Sequence, residues 1–264
     1  MTSAAPPRLA WRLLHTPPLD GATNMAIDHA LHAHAAATGE VVVRVYEWSR
    51  PTLSFGRNQV AAGAYDGARI AARGIDVVRR PTGGRAVLHH RELTYAVAAP
   101  VAFGGALRAA YDRINVLLLN ALRSLGVPAA LAATSGSAPL PTAAPCFETP
   151  TLGELALGGR KLVGSAQWRD AGALLQHGSI LIDDDQSGVA ELLTVPRPAP
   201  QAPATLREAL GRAPEARQLA SALLASVREL EDPDAAEIQL DDALARAAEL
   251  FRALYADPAW TWRR

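Results

Sequence analysis

The chain reads as an α+β protein, a mixed β-sheet flanked by helices. Three observations predict this. Short β-branched segments between residues 41 and 98, and again between 154 and 182, follow one another with little more than turns between them. Long helical patterns are few and lie apart from those runs, near 25–37, 106–125 and beyond 205. Strands therefore do not alternate with helices in the way a doubly wound parallel sheet requires.

Leu9 to Leu14 is a short first strand. Asp20 to Asn24 caps a helix over 25–37, where Ile27, Leu31 and Ala35 recur at helical spacing and Gly39 ends the run. Val41 to Tyr46 is strand-like, and 51–58 is a strand or loop turning at Gly56. A short helix over 64–73 stops at Gly74, and Ile75 to Val78 is a buried strand. Strands at 86–88 and 93–98 follow. Ala106 to Leu125 is the longest helical pattern, closed by Gly126-Val127-Pro128. Residues 132–145, rich in Ala, Ser, Pro and Thr, read as a loop with Cys146 at its end. Strands are then expected at 154–157, 161–168 and 173–182, with Gly158-Gly159 as the hairpin turn between the first two. This divides the chain into a main domain over 9–195, a Pro-rich linker over 196–204 and a helical C-terminal extension over 205–264, with helices at 216–230 and 240–255. No internal repeat is visible.

With 264 residues, 49% of them hydrophobic, the chain is long enough to bury a proper core. Its 26 basic residues are balanced by 26 acidic ones, which argues against a dedicated nucleic-acid binder. One cysteine permits no internal disulfide. Met1 to Arg8 has no apolar signal segment, and no apolar run reaches the ~18 residues of a membrane span, so no membrane role and a cytoplasmic location are expected.

Of the 26 basic residues only Lys161 is lysine. A position that keeps lysine in an arginine-rich chain is a candidate for chemistry needing a compact, tunable ammonium. Arg79-Arg80-Pro81-Thr82-Gly83-Gly84-Arg85 ends a strand in paired glycines, which let backbone amides approach an anion or carbonyl. The turn is neither a P-loop nor a dinucleotide fingerprint. Gly164-Ser165-Ala166 leaves room above a strand for a ligand. His177 lies inside an apolar strand. His29, His32 and His34 are read as a solvated helix face rather than a metal site. Cys146 sits in a Pro-bounded loop. An ordinary thiol has a pKa of about 8.5. An ammonium about 4 Å away contributes up to ~4 kcal/mol at an effective dielectric of 20, and ~1.4 kcal/mol already moves a pKa by one unit.

These motifs carry a resemblance. The run from Arg79 to His89 followed by Glu92-Leu93-Thr94-Tyr95 resembles the lipoate/biotin protein ligase and octanoyltransferase family. So do the runs 159–167 and 176–181, in the same order, and the helix around Asn24 to Asp28. Cys146-Phe147-Glu148-x-Pro150 looks like the cysteine-dependent octanoyltransferase branch. Gly153 departs from the pattern, which has a bulkier aromatic residue there.

The resemblance implies a catalytic domain over 9–195 and a ping-pong acyl transfer. Octanoyl-acyl-carrier protein is the expected donor, and the lysine of a lipoyl domain, such as glycine-cleavage H protein, the acceptor. It implies Cys146 as nucleophile and Lys161 as the cation on the acyl carbonyl. Substrate-binding residues would be Arg79, Thr82, Gly83, Gly84, Arg85, Ala86, His89, Gly164, Ser165, Ala166, His177 and Gly178. No cofactor is expected; ATP and magnesium belong to the alternative of an ATP-dependent lipoate ligase on the same fold. A non-catalytic acyl- or lipoyl-binding module is the second alternative.

Overall fold

In the computed structural model, which describes residues 9–132, 152–195, 197–198 and 201–264, the chain begins with β1 (Trp11–His15), α1 (Gly21–Thr38), β2 (Val41–Tyr46) and β3 (Thr52–Phe55). Next come α2 (Gly67–Ala72), β4 (Asp76–Arg79), β5 (Val87–His89), β6 (Glu92–Pro100) and α3 (Leu107–Ser124). The middle of the chain forms β7 (Ala130–Leu131), β8 (Leu155–Leu157), β9 (Arg160–Lys161), β10 (Val163–Asp170) and β11 (Ala173–Leu181). It closes with α4 (Leu206–Leu210), α5 (Ala216–Leu230), β12 (Ala236–Ile238), α6 (Asp242–Ala256) and α7 (Pro258–Thr261).

Six strands in the order β10-β11-β6-β2-β1-β12 make the main sheet, and it is mixed. β12, β1 and β2 are parallel, whereas β2, β6, β11 and β10 are antiparallel. Alternate residues feed opposite faces. Val41, Val43 and Val45 join Leu93, Tyr95 and Val97 beneath α3 and α5. Val42 and Tyr46 join Ala96 and Ala98 beneath α1 and α6. A second sheet, β4-β3-β5, has its own apolar cluster around Leu53, Phe55, Tyr65 and Ile70. The third, β7-β8-β9, is small.

α1 starts where its cap places it: the Asp20 carboxylate accepts from Thr23 N–H, and Gly39 ends the helix at φ +77°. The histidines of α1 differ from the sequence reading of a solvated face. His29 stacks on Phe251 of α6 at 3.8 Å, and His32, 3% exposed, stacks on Trp168 of β10 at 4.2 Å. Burial, with His32 and Arg57 adding to it, pushes His29 down to about 4. The expected strand 161–168 is broken at Leu162, so Lys161 belongs to β9 while Gly164 to Trp168 belong to β10 of the main sheet. Gly158 and Gly159, at φ +56° and +75°, form the β8–β9 turn, a conformation that suits glycine at both positions.

Residues beyond 205 are not all helical. β12 adds a parallel edge to β1, and α5 and α6 pack on opposite faces of the main sheet. Among the described residues, no helix is long and apolar enough to cross a membrane.

Candidate active site

The turn after β4 is fixed by two arginines with different jobs. Neighbouring residues at a strand end point to opposite sides. Arg79 points away from the main sheet: Nε donates to the Thr261 carbonyl at 2.9 Å and Nη1 to the carbonyls of Gly56 and Gln59 at 2.6 and 2.8 Å. Burial, with Arg263, Arg264 and Arg80 nearby, lowers it to about 10. Arg80 curls back under its own turn. It donates to the carbonyls of Gly83 and Arg85 at 2.8 and 2.7 Å, and to Ser54 Oγ at 2.9 Å. The turn lies directly on Gly56, where a Cβ would stand 2.0 Å from the Gly84 carbonyl oxygen. Gly84 itself has φ +90°.

Between this turn, the N-terminal half of α1 and the main sheet lies a small cavity. Its walls are Met25, Tyr46, Trp48, Ser54, Arg80, Val87, His89 and Thr94, together with Gly164, Ser165 and Ala166 of β10 and His177, Gly178 and Ser179 of β11. Gly178 has no room for a side chain, because a Cβ would meet the Gly164 carbonyl at 2.5 Å.

Two hydrogen-bonded chains border this cavity. In the first, His177 Nδ1 lies 3.0 Å from Asp28 Oδ2 and Nε2 lies 2.6 Å from Thr82 Oγ1. Asp28 also accepts from Arg44 Nη1 at 2.8 Å and from the Tyr46 hydroxyl at 2.9 Å. Burial pushes the Asp28 carboxyl up, but the His177 hydrogen bond and the Arg44 guanidinium outweigh it and hold the carboxyl below its ordinary range. Asp28 is thus an anion, so Nδ1 of His177 carries a proton toward it.

In the second chain, His89 Nε2 lies 2.8 Å from Ser54 Oγ and Nδ1 lies 3.0 Å from Glu92 Oε1. Thr94 Oγ1 donates to the same Glu92 oxygen at 2.6 Å, and Trp48 Nε1 donates to Thr94 Oγ1. Burial pushes Glu92 up to about 8, against the pull of its hydrogen bonds. Burial, reinforced by Arg80 and His177, drives His89 well below the ordinary imidazole range.

Lys161 stands apart from the cavity lining. It is 4% exposed, and its ammonium donates to Glu154 Oε1 at 2.9 Å across the β8–β9 hairpin. The Tyr95 hydroxyl meets Ser165 Oγ of the cavity wall at 2.7 Å. Burial raises Tyr95 to about 12, and the charge of Glu154 adds to the rise. Cys146 lies outside the described residues. The chain on either side of 133–151 is tied to the Lys161 sheet: Ala132 N–H donates to the Glu154 carbonyl at 2.8 Å and Gly153 N–H to the Ala132 carbonyl at 3.0 Å. Gly153 has φ +81°, and a Cβ there would stand 2.6 Å from Arg108 Nη2, which gives the departure from the aromatic pattern a local reason.

Of the residues read from sequence, His89, Gly164, Ser165, Ala166, His177 and Gly178 meet around one cavity. Thr82, Gly83 and Gly84 form the turn beside it, where a Cβ on Gly84 would stand 3.7 Å from the Cβ of Ala166. Ala86 belongs to the core of the second sheet, and Arg85 gives its carbonyl to Arg80. Arg79 engages backbone carbonyls rather than the cavity. Asp28, Arg44, Tyr46, Ser54 and Glu92 had been given no role; the signal for Asp28 and Glu92 was a carboxylate within an otherwise apolar helix or strand. Among the described residues, no group of three or more His, Cys, Asp or Glu side chains is placed to hold a metal.

The sequence that builds this sheet, turn and cavity matches the lipoyl protein ligase A/B catalytic domain. The model of that family matches residues 20–228, and the chain belongs to it. Among similar proteins, octanoyltransferase LipM of Kyrpidia tusciae is 36% identical, over 96% of this chain and 99% of its own length. The octanoyltransferase LipM of Symbiobacterium thermophilum is 43% identical over 76% and 79%. The bi-partite lipoate protein ligase of Thermoplasma acidophilum, solved with its E2 lipoyl domain, aligns over 97% of both chains with a TM-score of 0.74 at 22% identity, a likeness of fold.

Proposed function

We propose that this chain is an octanoyltransferase of protein lipoylation, working in the cytoplasm. It moves an octanoyl group from octanoyl-acyl-carrier protein to the lysine of a lipoyl domain, such as that of glycine-cleavage H protein, through an acyl-enzyme on Cys146. The observation that carries this reading is the convergence of the sequence blocks 79–89, 159–167 and 176–181. They lie far apart in the chain, yet they build one cavity and the ion-paired lysine beside it. The octanoyltransferase relatives at 36–43% identity support the choice of acyl group.

In this reading the Cys146 thiolate attacks the donor thioester. The Lys161 ammonium, held by Glu154, stabilises the charge that develops on the carbonyl oxygen, with amides of the Gly83-Gly84 turn assisting. Glu154 and burial keep Lys161 in one place, and its compact head suits that role better than the guanidinium fork found at every other basic position. The reaction needs neither ATP nor a metal. Intact mass spectrometry after mixing with octanoyl-acyl-carrier protein tests this. A single octanoyl adduct, absent in Cys146→Ser, is expected without ATP. Strict dependence on ATP and magnesium would show a ligase instead.

A further inference from the structure

We propose that Arg57, Arg263 and Arg264, together with Val60, form the docking surface for an acidic protein face, that of the carrier which delivers the acyl thioester. This rests on the acyl-transfer reading above. Two elements of the cavity wall lead directly to this surface. On β10, Trp168 follows the wall residue Ala166 by two positions and so shares its face, and it packs edge-on against His29 of α1 at 5.0 Å. Under the glycine turn, Arg57 N–H donates to the Thr82 carbonyl at 2.8 Å. The Arg57 guanidinium lies where the two meet, 5.6 Å from the Trp168 ring centroid. The residues after α7 supply the other cations. Arg263 stacks on Trp260 at 3.9 Å, and its Nη2 donates to the Arg57 carbonyl at 2.6 Å. Arg264 is held alongside, its carbonyl accepting from Ala61 and Ala62 N–H at 2.8 and 2.6 Å.

Exposed arginines elsewhere, such as Arg73, Arg108 and Arg217, are paired with carboxylates. Among the described residues, no Asp or Glu side chain stands within ion-pair distance of Arg57, Arg263 or Arg264. Burial, with Arg57 and Arg264 adding to it, lowers Arg263 from its ordinary value. The buried Arg79 adds a further cation next to the group, and its Nη2 has no hydrogen-bond acceptor. Like charges gathered without an acid repel one another until an anion arrives. Val60, 53% exposed in the same loop as Arg57, adds an apolar contact. An apolar residue among cations drawn from two chain segments suits a protein face better than a lone phosphate. Charge selects the donor from the two protein substrates: the acceptor must bring a lysine ammonium past these arginines, whereas the donor brings an uncharged acyl chain.

The test measures transfer to an apo lipoyl domain from three donors: octanoyl-acyl-carrier protein, octanoyl-phosphopantetheine and octanoyl-pantetheine. Arg57→Gln combined with Arg264→Gln removes two charges and, among the described residues, no side-chain hydrogen bond. The KM for octanoyl-acyl-carrier protein should rise about 10-fold or more, with kcat and the KM for the lipoyl domain within about twofold of wild type. Lysine at both positions should restore most of the loss. The two small donors should serve wild type and variant equally, which also shows that the variant is folded. In wild type, raising salt from about 0.05 to 0.5 M should raise the KM for the carrier protein and leave that for octanoyl-pantetheine unchanged. A rise in the lipoyl-domain KM in place of the donor KM would put the acceptor on this surface. A loss that persists with octanoyl-phosphopantetheine would make it a phosphate site. Either result overturns the proposal, as does a carrier KM indifferent to the substitutions or to salt. Wild type that transfers from none of the three donors would instead overturn the acyl-transfer reading.

Discussion

Two hydroxyl–imidazole–carboxylate chains border the same cavity, and they differ in what stands behind the carboxylate. Asp28 has the Arg44 guanidinium at 2.8 Å and the Tyr46 hydroxyl at 2.9 Å, whereas Glu92 has only neutral donors, Thr94 Oγ1 among them. The burial is similar, at 0% and 2% exposure. The charge is not. One carboxyl is held below its ordinary range and the other is raised to about 8. Burial alone therefore does not set the direction of the shift in this protein; the His177 hydrogen bond and the buried Arg44 cation offset it at Asp28. Environments that push two carboxyls in opposite directions commonly mark a division between base and acid.

The largest effect should come from removing that cation. Arg44→Met keeps much of the volume but strands a buried carboxylate, which costs about 3–5 kcal/mol. For a chain of this size the melting temperature should fall by about 10 °C. Arg44→Met with Asp28→Leu should recover a large part of the loss. If the single change is silent in calorimetry, Asp28 is not held as an anion.

Glu92→Gln should act in the opposite sense. Across the window from the ordinary carboxylate value of 4.5 to about 8, the folded state retains a proton that the unfolded chain releases. Stability from Glu92 is thus complete at low pH and is lost as pH rises through this window. Denaturant titrations at pH 5, 6.5 and 8 should show wild type losing on the order of a few kcal/mol relative to Glu92→Gln, spread about evenly over the two intervals. A parallel pH dependence of the two proteins would mean that Glu92 is ionised throughout.

The smallest effect belongs to Ser54→Ala, which removes one acceptor from Arg80 and one partner from His89. Arg80 Nη1 still reaches the Ser54 carbonyl at 3.0 Å, so a loss of about 1 kcal/mol is expected by chemical denaturation. A loss comparable to that of Arg44→Met would mean that the second chain supports the cavity as strongly as the first.

Much of the fold was legible where local chemistry decides it. Asp20 and Gly39 delimit α1 through cap geometry, and Gly158-Gly159 supply the positive φ of the hairpin. β12 was not legible, because three residues, Ala-Glu-Ile, carry no pattern and their partner β1 lies more than 200 residues upstream. The same limit governs the histidines of α1: spacing shows that His29 and His32 share a face, and only the packing of Phe251 and Trp168 shows that this face is covered. At the site, the glycine turn and the small residues of β10 were readable because backbone approach demands those residue types. Arg79 and Arg80 look alike in sequence, yet strand alternation sends one to the backbone of residues 56–59 and the other to the cavity. The two carboxylates behind the histidines required tertiary structure, since Asp28 and His177 are 149 residues apart.

Acyl transfer without nucleotide is the central claim for this protein, and one measurement addresses it directly. Purified protein is incubated with octanoyl-acyl-carrier protein and an apo lipoyl domain, with ATP absent and a chelator present, and the domain mass is followed. Octanoylation of the domain by wild type, with the activity lost in Cys146→Ser, is the predicted result. An unmodified domain that becomes acylated only when free octanoate, ATP and magnesium are supplied would contradict it.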